Sequence, residues 1–121
     1  MKKTVLFVDD EEINLFVLEK RFEKDYQILT ANSANEGIQI IREKYRSIDA
    51  VISDLKMPEK SGLDMIRESK EFLINIPCFL LTGYDPNGEI EEALSEKIIS
   101  RLFKKPFSYN EISNTLREYL T

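Results

Sequence analysis

The sequence predicts an α/β fold in which five parallel strands alternate with five helices along 121 residues. Five short apolar runs, often β-branched, are typical of buried strands. They cover residues 4–8, 26–30, 50–53, 78–81 and 98–103. A helical pattern lies between each pair, and parallel strands need such a crossover to return to the same sheet. We therefore expect a doubly wound (βα)5 sheet.

The helices carry their own start signals. Ser33 with Glu36, and Ser108 with Glu111, fit the capping box, in which Ser and Glu satisfy otherwise unpaired N–H groups. In the first helix, from about residue 12 to residue 22, one stripe consists of Ile13, Phe16 and Val17. No linker, repeat or low-complexity tract interrupts the pattern, so we expect a single domain over residues 1–121.

Composition excludes several classes of function. The net charge of −5 and the pI near 4.9 argue against a nucleic-acid-binding surface in this chain, although a DNA-binding region outside it remains compatible. With Cys78 as the only cysteine and no histidine, neither a disulfide nor a zinc cluster is expected. No apolar run approaches the roughly 20 residues that span a bilayer. A reducing cytoplasm is the expected location, and any chemistry must use carboxylates, hydroxyls and amines.

Polar residues follow four of the five strands at their carboxyl ends. These residues are Asp9 and Asp10 after the first strand, Asp54 after the third, Thr82 after the fourth, and Lys104 and Lys105 after the fifth. In open parallel sheets, sites form at the carboxyl ends of strands, where the strand order reverses. The second strand ends without such chemistry, which favours the order 2-1-3-4-5 with that strand at an edge.

Together these groups predict a phosphoryl-transfer site. Three carboxylates at one edge repel each other unless a cation is present, and Mg²⁺ suits oxygen ligands while keeping room for water and phosphate. Lys105 supplies an ammonium and Thr82 a hydroxyl, both able to bind phosphoryl oxygens. A carboxylate nucleophile beside such groups is equipped for phosphoryl transfer by positioning and charge neutralisation.

At this point the sequence resembles the receiver domains of two-component response regulators, over essentially its whole length. The matching segments are residues 5–12 (Val-Leu-Phe-Val-Asp-Asp-Glu-Glu), residues 54–58 (Asp-Leu-Lys-Met-Pro) with Gly62, residues 80–83 (Leu-Leu-Thr-Gly) and residues 105–107 (Lys-Pro-Phe). The resemblance implies a flavodoxin-like fold in the 2-1-3-4-5 order.

The resemblance also implies roles for individual residues. Asp54 would be the phosphoacceptor. Mg²⁺ would bind Asp10 directly, Asp9 through a water, Asp54, and the carbonyl of Lys56. Thr82 and Lys105 would hold the phosphoryl group and couple it to conformational change. The family also implies a cis peptide before Pro106, and decay of the phosphorylated form tuned at Lys56 and Tyr84.

Partners and output follow from the same resemblance. The donor would be a sensor histidine kinase or a phosphotransfer protein, and the surface of the fourth helix, fifth strand and fifth helix would carry the output to an unknown effector. A phosphorylation-linked homodimer is left open; membrane binding is not expected. The chain would be a signalling domain, not an enzyme, that assists its own phosphorylation and dephosphorylation. Leu102 stands where the family usually has an aromatic switch residue, so the route of output departs from the common pattern.

Other interpretations of these residues fit the sequence less well. Asp9 and Asp10 could form only a turn and a helix entry, which is also the simpler reading of Glu11 and Glu12. A small-molecule phosphatase would need a further acid or base and a substrate cap, and this chain has neither a histidine nor a long insertion. A flavin or nucleotide module would need a glycine-rich phosphate loop, which is absent. A degenerate receiver that binds partners without phosphorylation is the main alternative.

Overall fold

The five strands form one parallel sheet in the order β2-β1-β3-β4-β5, which confirms the predicted flavodoxin-like fold class. The computed structural model describes residues 1–83 and 87–121. The strands are β1 (Lys3–Val8), β2 (Tyr26–Ala31), β3 (Ala50–Asp54), β4 (Cys78–Thr82) and β5 (Arg101–Lys104). The helices are α1 (Glu12–Phe22), α2 (Ala34–Lys44), α3 (Gly62–Glu68), α4 (Gly88–Ser95) and α5 (Tyr109–Leu120), with a 3-10 turn at Tyr45–Ser47.

Helices cover both faces of the sheet, so the central strands β1, β3 and β4 are buried on two sides, whereas the edge strands β2 and β5 are partly exposed. Alternate strand residues contribute to each core, as the pleat of a strand requires. On one face α1 and α5 pack over a core that includes Val5, Phe7, Ile52, Phe79, Leu81 and Phe103. On the other face α2, α3 and α4 pack over a core that includes Leu6, Val8, Val51 and Leu80. Within the described ranges, no helix has the length and apolar content to cross a membrane.

The predicted helix caps are present. The Ser33 hydroxyl accepts a hydrogen bond from the Glu36 backbone N–H at 3.0 Å, and the Ser108 hydroxyl accepts one from Glu111 at 3.2 Å. The Glu36 carboxylate in turn accepts from the backbone N–H of Asn32 at 2.6 Å. Because these bonds satisfy N–H groups that a helix start leaves unpaired, they fix where α2 and α5 begin.

Helix α1 turns a different face to the sheet than its first apolar stripe suggests. Ile13 is 71% exposed and Phe16 is 59% exposed, whereas the buried residues of α1 are Leu15, Leu18 and Phe22. Both sets recur at helical spacing, so spacing alone does not tell which one faces the core. The Phe22 ring decides the orientation, since it packs on Phe7 and Tyr109 with ring centroids 5.6 and 4.9 Å away.

Strand β5 starts at Arg101, three residues later than the predicted start at residue 98. Ile98 and Ile99 instead close the end of α4, where both backbone N–H groups donate to the Ala93 carbonyl. Lys97 just before them has a φ of 62°, the left-handed conformation typical of a helix C-terminus. The predicted strand is therefore wrong at Ile98 and Ile99, which belong to the cap of α4, although Ile99 is buried.

Cys78 is expected to resist alkylation in the folded protein. It is 2% exposed at the start of β4, and this burial raises the pKa of its thiol to about 12. Since the thiolate is the reactive form, both access and ionisation oppose modification. Iodoacetamide should label the protein at pH 8 only after denaturant is added, as measured by mass. Rapid labelling without denaturant would contradict this burial.

Candidate functional site

Three carboxylates meet at the carboxyl edge of the sheet, between β1 and β3. Asp9 and Asp10 directly follow β1, and Asp54 is the last residue of β3, which pairs with β1. One carboxylate oxygen from each lies within 4.8 Å of the others. Asp9 and Asp54 are only 3% and 6% exposed, whereas Asp10 is exposed. From β1 the chain passes through α1 to β2 on one side of β1, and α2 then leads it back to β3 on the other side. The cluster therefore lies at the point where the strand order reverses.

Lys105 completes the cluster from the other side. Its Nζ lies 2.9 Å from Asp54 Oδ1, and its backbone N–H donates to the Thr82 carbonyl at 2.8 Å. The Lys105–Pro106 peptide bond is cis, as the resemblance implies. Thr82, the last residue of β4, is buried. The structure thus brings the predicted lysine against the predicted acceptor, with Thr82 on the neighbouring strand.

The pKa values of Asp54 and Lys105 are both raised, but for different reasons. Burial raises the pKa of Asp54; Lys105 opposes this shift, and the charges of Asp9 and Asp10 add to it. For Lys105, burial acts to lower the pKa, but the hydrogen bond and charge of Asp54 outweigh it. Asp9 and Glu11 add to this effect, so the pKa of Lys105 is raised. The charge of the Lys105 ammonium is thus well compensated, whereas the charge of the Asp54 carboxylate is not.

Mild acidification in chelator should therefore remove a destabilising charge. Because its pKa is raised, folded Asp54 holds a proton at pH values where the unfolded chain has released it. The stabilisation from this proton grows as the pH falls from neutral through the folded pKa, and is fully present below about 3.9. We expect Asp54→Asn to be more stable than wild type at pH 7, with the difference shrinking towards pH 4. Urea titrations at each pH measure it; a difference that grows on acidification would contradict the assignment.

The turn after β3 fixes the backbone of Asp54. The Gly62 N–H donates to the Leu55 carbonyl at 2.8 Å, and the Leu55 N–H donates to the Leu81 carbonyl at 2.9 Å. The buried Ser53 hydroxyl donates to the Asp54 carbonyl at 2.8 Å. A Cβ on Gly62 would lie 2.2 Å from that same carbonyl oxygen, so only glycine allows this approach. Glu59, inside the turn, has a φ of 70°.

A pocket opens above Asp54, and two residues near the acidic cluster, Glu11 and Asn14, add to the predicted site. Its lining consists of Asp10, Glu11, Asp54, Lys56, Thr82, Gly83 and Lys105. The sequence predicts Glu11 only as part of a helix entry, yet Glu11 lines this pocket. Asn14, which no sequence motif marks as a site residue, donates from Nδ2 to Asp9 Oδ2 at 3.3 Å. Its position one helical turn after the acidic pair was the available signal.

The remaining predicted residues lie in several places. Lys56 is exposed at the pocket wall, and Lys104 is exposed at the end of β5. Leu102 is half-buried on β5, pairs in register with Leu80 and packs against the core under α2, α3 and α4. Tyr84, predicted to tune decay, lies outside the described residues, as does part of the loop between Gly83 and Gly88.

The chemistry of this donor set fits a hard divalent cation. The cluster offers carboxylate oxygens alone, without histidine or thiolate, which matches the ligand preference of Mg²⁺. The raised pKa of Asp54 also shows that its charge lacks full compensation from Lys105. A cation near the three carboxylates would supply that compensation.

Comparison with known proteins decides the family. A family model of the response regulator receiver domain matches residues 5–117. The chain belongs to the response regulator receiver domain family. It is therefore a module of two-component signalling. Receiver domains bind Mg²⁺ at an acidic site of this kind.

Individual relatives of this receiver domain differ in length. It is 28% identical to sporulation initiation phosphotransferase F of Bacillus subtilis, covering 99% of this chain and 95% of that protein. It is 29% identical to the transcriptional regulatory protein ZraR of Klebsiella oxytoca, covering 96% of this chain but 26% of that protein. The chain thus spans about a quarter of that regulator. Among solved structures, a response regulator receiver domain protein of Clostridium thermocellum superposes with a TM-score of 0.86 at 31% identity, covering 98% of this chain and 94% of that chain.

Proposed function

We propose that Asp54 accepts a phosphoryl group from a sensor histidine kinase or phosphotransfer protein. The observation that carries this proposal is the contact of Lys105 Nζ with Asp54 Oδ1 at 2.9 Å, beside carboxylate oxygens of Asp9 and Asp10 within 4.8 Å. A buried carboxylate with a cation on one side and an acidic cluster on the other is suited to phosphoryl transfer. The phosphotransferase named among the relatives supports the same reaction class.

The residues around Asp54 would divide the work among themselves. Asp10 and Asp54 would hold Mg²⁺ directly with the Lys56 carbonyl, and Asp9 would act through water. Bound Mg²⁺ supplies positive charge that offsets the carboxylates and the incoming phosphoryl oxygens. An Asp54 oxygen would form its bond to phosphorus as the bond from phosphorus to the donor breaks. The Lys105 ammonium and the Thr82 hydroxyl would then donate hydrogen bonds to phosphoryl oxygens.

The signal would leave through α4, β5 and α5. Thr82 ends β4 and Lys105 directly follows β5. Hydrogen bonds from these two residues to the phosphoryl oxygens would therefore shift the strand ends that adjoin this surface. Leu102 replaces the usual aromatic, so movement of α4 and its preceding loop would carry the change as a population shift. The recipient of the signal would be an effector protein, an effector domain or a second receiver. We also propose that residues 1–121 form one receiver domain and that it acts in the cytoplasm. Lys56 and Tyr84 would tune hydrolysis.

Labelling with a small acyl phosphate tests the proposed function. We expect intact-mass measurement to show one added phosphoryl group when acetyl phosphate and Mg²⁺ are present. Chelator should reduce the labelling strongly, because the uncompensated carboxylates repel the anionic donor. The label should survive acid and be lost in base, as an acyl phosphate is. Labelling that ignores chelator would point to another acceptor and contradict the proposal.

Replacing Lys105 with methionine should slow phosphorylation by about 100- to 1,000-fold, the range expected when one donor to developing negative charge is lost. Methionine has a similar length and no charge, so the substitution removes the ammonium and keeps most of the side chain's bulk. The matched control is Lys104→Met, which removes the neighbouring exposed charge and should label at close to the wild-type rate. The measurement is the initial rate of mass increase. Equal rates for both variants would show that Lys105 contributes only net charge.

A further inference from the structure

Asp9 is held by the protein at both of its carboxylate oxygens. The Glu11 backbone N–H donates to Oδ1 at 2.9 Å, and Asn14 Nδ2 donates to Oδ2 at 3.3 Å. The side chain is only 3% exposed, so it has little water to replace these bonds. A buried carboxylate with both oxygens occupied by donors has a fixed orientation, which distinguishes Asp9 from the exposed Asp10.

The Asn14 amide also contacts a second acid. Its Nδ2 lies 3.4 Å from Glu11 Oε1, and Glu11 lines the pocket above Asp54. Ionised carboxylates only accept hydrogen bonds, so the NH₂ group, with two donors, is the end of the amide that can face both. One neutral side chain therefore bridges two negative groups at the mouth of the site.

We propose that Asn14 is a positioning residue for the magnesium site, acting through Asp9. An amide donor orients the carboxylates without adding a positive charge. A lysine at this position would add such a charge and compete with the cation. Partners that orient a ligand commonly change metal affinity by about 10- to 100-fold when they are removed. The inference rests on the proposed function, in that Asp9, Asp10 and Asp54 hold Mg²⁺.

The position of Asn14 in the fold favours this role over a structural one. It lies in the first turn of α1, where an asparagine is a weak helix former that leucine would improve upon. The adjacent groove is lined by the site residues Asp9 and Lys105 and by the core residues Leu18 and Leu81, so the half-buried Asn14 side chain lies where the site meets the core. Leucine has nearly the same shape as asparagine but donates no hydrogen bond.

Magnesium binding measured by calorimetry, without any phosphodonor, tests the proposal. Asn14→Leu should raise the dissociation constant for Mg²⁺ by about 10-fold, at the lower end of the range for such partners because the bond is long. Asn35→Leu is the matched control, since Asn35 is an exposed asparagine in the first turn of α2. It should leave the dissociation constant at the wild-type value.

A double-mutant cycle separates positioning from a general effect on α1. In an Asp9→Ala background, Asn14→Leu should change the dissociation constant by less than about twofold, because the residue it acts through is gone. As a second measurement that needs no variant, the side-chain amide protons of Asn14 should shift in NMR spectra during Mg²⁺ titration while those of Asn35 do not.

The outcomes distinguish the two proposals. A wild-type protein that binds no Mg²⁺ overturns both the proposed function and this inference. If the wild-type protein binds Mg²⁺ and Asn14→Leu binds it equally tightly, the inference alone is overturned. The same weakening in both backgrounds, or unmoved Asn14 protons, also overturns it.

Discussion

Asp54→Asn is expected to abolish phosphoryl incorporation from acetyl phosphate while the protein stays folded. The amide keeps the shape of the side chain at the end of β3 but lacks the nucleophilic carboxylate oxygen. The fold should tolerate the change, since the raised pKa of Asp54 shows that its charge is poorly compensated in the folded state. Intact-mass measurement over an hour of incubation with Mg²⁺ reports the loss directly.

The control for this substitution is Asp64→Asn, which makes the same chemical change on the exposed first turn of α3. It should label at the wild-type rate. If Asp54→Asn acquires the same mass increase as Asp64→Asn, then another side chain accepts the phosphoryl group. Thermal melts of both variants show whether either loss comes from unfolding.

Gly62→Ala should destabilise the protein by about 3 kcal/mol, the upper part of the range for overpacked sites. The new Cβ would lie 2.2 Å from the Asp54 carbonyl oxygen and 2.6 Å from Ser53 Oγ, and the first of these is backbone that cannot rotate away. The turn must therefore shift, and it carries Asp54 with it. We also expect slower phosphorylation at a temperature where the variant is still folded.

Gly88→Ala is the matched control for Gly62→Ala. A Cβ at Gly88, the first residue of α4, meets no described heavy atom within 4 Å. Alanine there should be neutral or slightly stabilising, because it restricts the unfolded chain. Urea midpoints of the two variants give the comparison. Equal midpoints would show that the close approach of Gly62 to Asp54 carries no energetic weight.

Sequence patterns predicted the fold well because strand ends and chemistry coincide in this chain. The acids after β1, Asp54, Thr82 and Lys105 all follow buried runs, and parallel strands bring their carboxyl ends to one edge whatever the details of packing. The order of the strands followed from that placement alone. Local hydrogen bonding likewise predicted the caps at Ser33 and Ser108.

The errors arose where two patterns competed. Helix α1 has two apolar stripes, and only the aromatic packing of Phe22 determines that Leu15 and Leu18 are the buried ones. Ile98 and Ile99 have strand-like side chains, yet their N–H groups are needed at the end of α4. Such choices depend on contacts between distant segments, which propensity does not contain.

The residue types of Glu11 and Asn14 do not predict their contributions, for a different reason. Charged and amide residues in the first turn of a helix usually serve the helix itself, so their types carry no sign of a site. What distinguishes them is the direction of α1 relative to Asp9, and that direction is set by packing on the far side of the helix.

Chemical mapping of the phosphorylated residue tests the central claim most directly. Borohydride reduces an acyl phosphate on aspartate to homoserine, which peptide mass spectrometry locates in the sequence. After incubation with acetyl phosphate and Mg²⁺, the account predicts homoserine at position 54 and aspartate unchanged at positions 9 and 10. Homoserine at either of those positions, or no homoserine in a protein that has gained the phosphoryl mass, would contradict Asp54 as the acceptor.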